Sequence, residues 1–233
     1  MRFPDPLIRG RLLRRYKRFL SDIELENGEV VVAHCANPGA MLGLKDPGAP
    51  VWLSPSRNPK RKLKYSWELI QVDGHMVGIN TALPNRIVEE AVAAQAVPEL
   101  AGYPNLRREV PYGRNSRIDL LLESDGRPPC YLEVKNVHLK RQEGLAEFPD
   151  SVTKRGTKHL VELSEMARQG ARAVMFYLVQ RGDCTSFQVA ADIDPDYDRA
   201  LQMAIDHGVE TLCYSCRVGT DAIELDRRLP LTI

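Results

Sequence analysis

Three charged side chains sit where a buried strand has little use for them: Asp119 in "RIDLLLES", then Glu133 and Lys135 in "PCYLEVKN". A strand covered on both faces reads as a nearly continuous apolar run. Residues two apart in a strand share a face, so Glu133 and Lys135 point the same way. An Asp125-Gly126 turn would pair 117–124 with 129–134 and bring Asp119 to the same sheet end. Two neighbouring carboxylates raise one another's pKa unless a cation lies between them. A hard divalent ion such as Mg²⁺ or Mn²⁺ meets that need, and Mg²⁺ takes one or two carboxylates plus water and phosphate oxygens. An ammonium alongside can orient water and stabilise charge developing on a phosphate. On spacing alone, a salt-bridged sheet edge with Lys135 paired to either acid is the commoner explanation. The preceding helical stretch shifts that balance, because its Glu89 and Glu90 could face the same sheet end.

The elements that must position these residues change character near Asn80. Before it, short strands alternate with tight turns at Asn27-Gly28, Asp46-Pro47-Gly48 and Asp73-Gly74. Five short strands are expected, "RRYKRFLSDIEL", "EVVVAHC", "APVWLSPS", "KLKYSWELIQV" and "HMVGIN", which suggests a small oligonucleotide-binding (OB) barrel. After it, "PNRIVEEAVAAQAV" has helical spacing, followed by the strands "LRREVPYG", "RIDLLLES" and "PCYLEVKN". "VHLKRQEGLAEFPDSV" reads as a loop before the helix "TKHLVELSEMARQ". "ARAVMFYLVQ" has the composition of a central strand, "DPDYDRALQMAIDHG" is a well-capped helix, and "VETLCYSCRV" closes a mixed sheet.

The 233 residues are 43% hydrophobic and 27% charged, as in an ordinary soluble globular protein. No window approaches the roughly 18 apolar residues of a membrane span, and "MRFPDPLIRG" lacks the apolar core of a signal peptide. A cytoplasmic protein without a membrane partner is expected. Five cysteines without a leader predict free thiols. Cys213 and Cys216 have redox or zinc spacing, but no second ligand pair accompanies them, so two buried strand cysteines are the simpler reading.

The net charge of +1 hides an asymmetry: residues 1–80 carry +5 and the remainder −4. The positive charge gathers at Arg14, Arg15, Lys17 and Arg18, and again at Arg57, Lys60, Arg61, Lys62 and Lys64. Aromatic residues Tyr16, Phe19, Tyr65 and Trp67 are interleaved with them. One such cluster is often only a solvated face, whereas two in one segment suggest a polyanion surface, DNA or alternatively RNA. Past the Glu133 strand, "FPDSVTKRGTKHL" brings Arg155, Lys158 and His159 to a loop–helix junction, where phosphate contact and ordinary capping by Ser151, Thr153 or Thr157 are equally consistent.

A helix with a Glu, a hairpin with an Asp and then E-x-K resembles the PD-(D/E)xK nuclease core. The whole chain resembles the sugar fermentation stimulation protein family, through "RYKRFL", "AHCANPGAM", "YSWELI", "GINTALPNRIVEEA", "SRIDLLL", "YLEVKNVHL", "FPDSVTKRGTKHL" and "ELSEMARQG". That resemblance implies an α/β (α+β) chain in which an N-terminal OB-like β-barrel, residues 1–80, precedes a restriction-endonuclease-like mixed-sheet domain, residues 81–233. It implies DNA binding and Mg²⁺- or Mn²⁺-dependent phosphodiester hydrolysis leaving a 5′-phosphate. The alternative is a non-catalytic DNA-binding regulator of sugar metabolism that keeps the nuclease fold. Asp119, Glu133 and the Val134 carbonyl match the metal ligands, Lys135 the catalytic lysine, and Glu90, better than Glu89, the helical acid. Arg155 joins the barrel cations as a nucleic-acid contact. Two positions depart from the family pattern: the loop 34–39 reads "HCANPG" where "HCPNTG" is expected, and His138 replaces a small hydroxyl residue. Oligomeric state stays open, a homodimer included.

Overall fold

The computed structural model describes residues 1–113 and 115–232. The N-terminal part contains β1 (Ile8–Tyr16), β2 (Leu20–Leu25), β3 (Val30–Cys35), β4 (Pro50–Pro55), β5 (Tyr65–Val72) and β6 (His75–Gly78). Their order is β3-β2-β1-β4-β5-β6, and a parallel β3–β5 pairing (Ala33 beside Tyr65, Cys35 beside Trp67) closes β1 to β5 into a barrel. Closure removes the sheet edges that would otherwise be exposed. Alternation along the strands fills the barrel with Leu12, Ile23, Ala33, Val51, Leu53, Trp67 and Ile70.

The expected strand over "RRYKRFLSDIEL" is two strands joined at Lys17 and Arg18, both at positive φ (48° and 62°). Their consecutive left-handed conformations make the tight reversal, without the Asn or Gly that normally signals one. The fifth expected strand, β6, lies outside the ring: it pairs with β5 and bridges from Val77 to Arg181 of the second part.

The second part contains α1 (Pro84–Ala93), β7 (Asn105–Tyr112), β8 (Ser116–Glu123), β9 (Cys130–Val137), β10 (Leu139–Gln142) and β11 (Gly144–Phe148). It continues with α2 (Lys154–Arg168), β12 (Arg172–Val179), β13 (Cys184–Val189), α3 (Pro195–Asp206), β14 (Glu210–Val218), β15 (Ile223–Arg228) and β16 (Leu231–Thr232). The main sheet runs β15-β14-β12-β9-β8-β7. β9, β12 and β14 are parallel at its centre, and antiparallel strands flank them. α1 packs Ile87, Val88, Ala91 and Val92 on one face, and α2 and α3 pack Leu160, Leu163, Tyr197 and Leu201 on the other. The sheet is therefore buried on both sides, which explains the apolar run of β12 after Arg172.

The stretch expected as a loop after β9 is instead a hairpin, β10 and β11, turning at Gly144 (φ 72°) and extending a second sheet, β10-β11-β13-β16. Its strands are too short and too charged to show a clear period of two. Cys213 and Cys216 belong to cores on opposite faces of β14, so their thiols cannot share a zinc ion; all five cysteines are buried and free. Among the described residues no helix is long and apolar enough to cross a membrane.

Candidate active site

The site forms where the β8–β9 hairpin opens. The strands pair Leu122 with Cys130, Leu121 with Tyr131 and Leu120 with Leu132, and the pairing then stops. Ile118 and Leu120 should share a face, yet they belong to cores on opposite sides of the sheet. The strand therefore rolls at Asp119, turning its carboxylate toward the edge of β9. Asp119 Oδ2 accepts the Val134 N–H at 2.8 Å, in place of a ladder bond, and Oδ1 accepts Asn85 Nδ2 at 2.7 Å. In an extended strand the N–H and C=O of one residue project to the same edge, so the Val134 carbonyl faces the same opening.

Glu133 is 2% exposed, on the α2 side of β9. Its Oε1 accepts Lys135 Nζ at 2.7 Å and also meets His159 Nδ1 in a very short contact. Its Oε2 is buried without a hydrogen-bond partner among the described residues. Burial opposes ionisation of Glu133, but the Lys135 ammonium and the His159 hydrogen bond override it and hold the carboxyl below its ordinary range. Asp119 goes the other way: burial, and then the Glu133 charge, push it up to about 6. One acid already compensated by a cation, beside another that resists ionisation, leaves a place that favours added positive charge.

Among the described residues no three side chains from His, Cys, Asp and Glu surround one metal position. A hard divalent ion does not need such a cage, since water and phosphate oxygens complete its shell. The bare, buried Oε2, the strained ionisation of Asp119 and an all-oxygen donor set with the Val134 carbonyl fit Mg²⁺, Mn²⁺ or Ca²⁺.

Glu90 does not join the cluster. Its carboxylate takes the Met1 ammonium at 2.9 Å and Arg86 at 2.9 Å, while Glu89 pairs with Arg108 at 3.3 Å. The helix instead contributes Asn85, from its first turn and hence nearest the sheet end. Helical spacing does not separate these positions, because the angle at which α1 crosses the sheet decides which turn reaches Asp119.

Two further residues escape the E-x-K pattern. Tyr112, on β7, buries its hydroxyl without a partner among the described residues. Burial, and then the charges of Glu133, Glu162 and Asp119, raise its pKa, so the hydroxyl stays protonated. His159, on α2, is buried and also receives Arg155 Nε on Nε2 at 3.3 Å. The α2 N-cap is Thr153, whose hydroxyl accepts the Gly156 N–H at 3.1 Å. An open groove beside His159 is lined by Arg117, Arg155 and Lys158.

The barrel reaches this region through its loop 36–41. Asp150 accepts the Met41 N–H at 2.8 Å and pairs with His138 at 3.4 Å, and Asn37 donates to the Ile79 carbonyl at 2.9 Å. His138 thus has a carboxylate neighbour, and it is tied to Asn136 by a 2.9 Å contact.

The cations expected to hold nucleic acid divide into two sets. Arg14 pairs with Asp22 at 2.7 Å, Arg57 with Asp5 at 2.7 Å, and Arg15 donates to the Asn37 and Gly39 carbonyls, shaping the loop. Arg61 donates to Ser66 and Lys64 to the Pro59 carbonyl. Lys17, Arg18, Lys60 and Lys62 are exposed with no ion pair among the described residues, and the outer nitrogens of Arg155 are likewise unpartnered. Trp67 is fully buried in the barrel, whereas Tyr16 is half-buried beneath the Arg14 guanidinium.

A family model described as the sugar fermentation stimulation protein RE domain matches residues 82–222, and one described as the SfsA N-terminal OB domain matches residues 13–79. A sugar fermentation stimulation protein homolog of Paramagnetospirillum magneticum is 62% identical over 233 residues, covering 100% of this chain and 98% of the relative. The homolog from Rhodospirillum centenum is 62% identical over 232 residues, covering 100% of both chains. The solved structure of Pyrococcus furiosus SfsA in complex with Ca²⁺ superposes with a TM-score of 0.91 at 26% identity, covering 100% of this chain and 98% of that one.

Proposed function

The chain belongs to the sugar fermentation stimulation protein family, and from that premise we propose that it is a divalent-metal-dependent nuclease acting on DNA. The observation that carries this reading is Glu133 Oε2, a buried carboxylate oxygen without a partner among the described residues, beside an Asp119 whose carboxyl is pushed up to about 6. An oxygen left bare in a protein interior costs free energy comparable to a lost hydrogen bond unless a ligand takes it. The Pyrococcus furiosus relative holds Ca²⁺, an ion with the oxygen preference that this donor set offers.

Asp119, Glu133 and the Val134 carbonyl would hold the ion, Mg²⁺ or Mn²⁺ in the working protein. When bound, the ion supplies Lewis-acid stabilisation of a phosphate and activates water at neutral pH. Lys135 stands beside Glu133, where its ammonium can orient water and offset charge developing on the phosphorus oxygens. Asn85 and the Val134 N–H fix the Asp119 carboxylate between them. Residues 1–80 serve as the strand-holding domain, through Lys17, Arg18, Lys60 and Lys62, and residues 81–233 as the cleaving domain. Arg155 extends the cationic path to the site.

The rival reading is a DNA-binding regulator that keeps this fold without cleavage, and the diversion of Glu90 to Met1 and Arg86 favours it. Incubating DNA and RNA substrates with the protein and Mg²⁺ or Mn²⁺, followed by gel analysis, separates the two. Cleavage by wild type and its loss in Lys135→Ala is the expected result. Equal cleavage by both would sink the role given to Lys135, and salt-sensitive binding without cleavage under either ion would favour the regulator.

A further inference from the structure

His159 has two contacts that together determine its chemistry. An arginine can only donate, so Arg155 Nε at 3.3 Å requires Nε2 of the ring to be the acceptor. The ring proton is then on Nδ1, which faces Glu133 Oε1. A carboxylate oxygen can only accept, so its contact with Nδ1 also requires the proton there. Lys135 Nζ, 3.1 Å from that nitrogen and likewise only a donor, gives its hydrogen bond to Oε1 instead. Both donors therefore converge on Oε1, and none among the described residues reaches Oε2.

This asymmetry does not follow from the lysine alone. An ammonium carries three rotatable donors and can engage either oxygen of a carboxylate, or both. A ring on a packed helix offers one N–H in one direction, so it can select one oxygen. Arg155 keeps its own charge a ring's width farther away while setting the tautomer.

We propose that His159 is a positioning residue for the metal carboxylate: as the Nδ1–H tautomer selected by Arg155, it pins Oε1 of Glu133 and leaves Oε2 to the ion. The inference rests on the reading of this site as a divalent-metal centre. The same logic governs metal sites in general, where a partner outside the ligand set orients the ligand and its removal weakens metal affinity by about 10–100-fold.

The test is calorimetric titration of the full chain with CaCl₂, and Mn²⁺ titration followed by electron paramagnetic resonance, both without nucleic acid. His159→Ala should weaken binding by about 10–100-fold. His159→Asn places an amide N–H close to the Nδ1 position and should recover affinity to within roughly threefold of wild type. Arg155→Met frees the ring to take the other tautomer and should fall between the two. Thermal melts establish that each variant is folded; if His159→Ala is not, the Asn and Met variants carry the comparison. Wild-type affinity in His159→Ala, or equal losses in the Ala and Asn variants, would overturn the inference while leaving the metal site standing. A wild-type chain that binds neither ion would overturn both.

Discussion

Glu68 in the barrel and Glu133 in the sheet domain are both buried carboxylates, 5% and 2% exposed, yet they are partnered in opposite ways. Each Glu68 oxygen has its own neutral donor, Ser54 Oγ at 2.6 Å and Asn80 Nδ2 at 2.7 Å. Burial dominates there and raises its pKa. Glu133 has an ammonium and an imidazole crowded on one oxygen, no partner among the described residues on the other, and a lowered pKa. A carboxylate that serves structure is satisfied atom by atom, while one held for a ligand is kept charged and incomplete. Burial alone would not have told them apart.

The sharpest way to break the comparison is to remove each acid in turn. Glu133→Ala should lower metal-dependent cleavage by about 10³-fold or more, the loss expected when several kcal/mol of Lewis-acid stabilisation disappears. Glu68→Gln should leave the cleavage rate close to that of wild type. Equal losses in a time course on the same DNA substrate would make Glu133 an ordinary structural acid.

Protonation offers a second test. An ion competes with the proton on Asp119, so Ca²⁺ affinity should fall about tenfold per pH unit below 6, as read by calorimetry at several pH values. The stability of the metal-free protein sharpens the contrast. The raised pKa of Glu68 means the native state binds more protons, so its contribution is greatest below 4.5 and declines as pH rises through the folded value. Glu133, with a lowered pKa, contributes above 4.5 and loses that contribution as pH falls through its folded value. Urea melts from pH 3 to 8 should therefore show Glu68→Gln and Glu133→Gln removing slopes of opposite sign.

The smallest effect is expected at the barrel surface. Replacing Lys17 and Arg18 together by Ala should reduce the salt slope of DNA binding by about 2, with only a modest loss of affinity. Arg15→Ala should instead lower the melting temperature, because Arg15 holds the Asn37 and Gly39 carbonyls of the loop that rests on Asp150. A fall in salt slope for Arg15→Ala would return that residue to the binding surface.

The primary structure alone determined a great deal here. Tight-turn residues marked the barrel, helical spacing marked α1 and α2, capping residues marked α3, and the apolar run of residues 173–179 marked the sheet centre. Strand parity placed Glu133 and Lys135 on one face, because alternate residues of a regular strand share a face. These features depend on contacts or geometry within a few residues. What tertiary structure decided lies farther apart along the chain. The roll of β8 at Asp119 depends on two cores pulling the alternate residues Ile118 and Leu120 to opposite faces, and the choice of Asn85 over Glu90 depends on how α1 crosses the sheet. The reversal at Lys17 and Arg18 is held by β1–β2 pairing rather than by local preference. His159 lies 26 residues beyond Glu133, on a helix whose docking brings the imidazole to one oxygen of that acid. Spacing could name the acids and the lysine; only the packing of α2 against β9 could settle which carboxylate oxygen would be left bare.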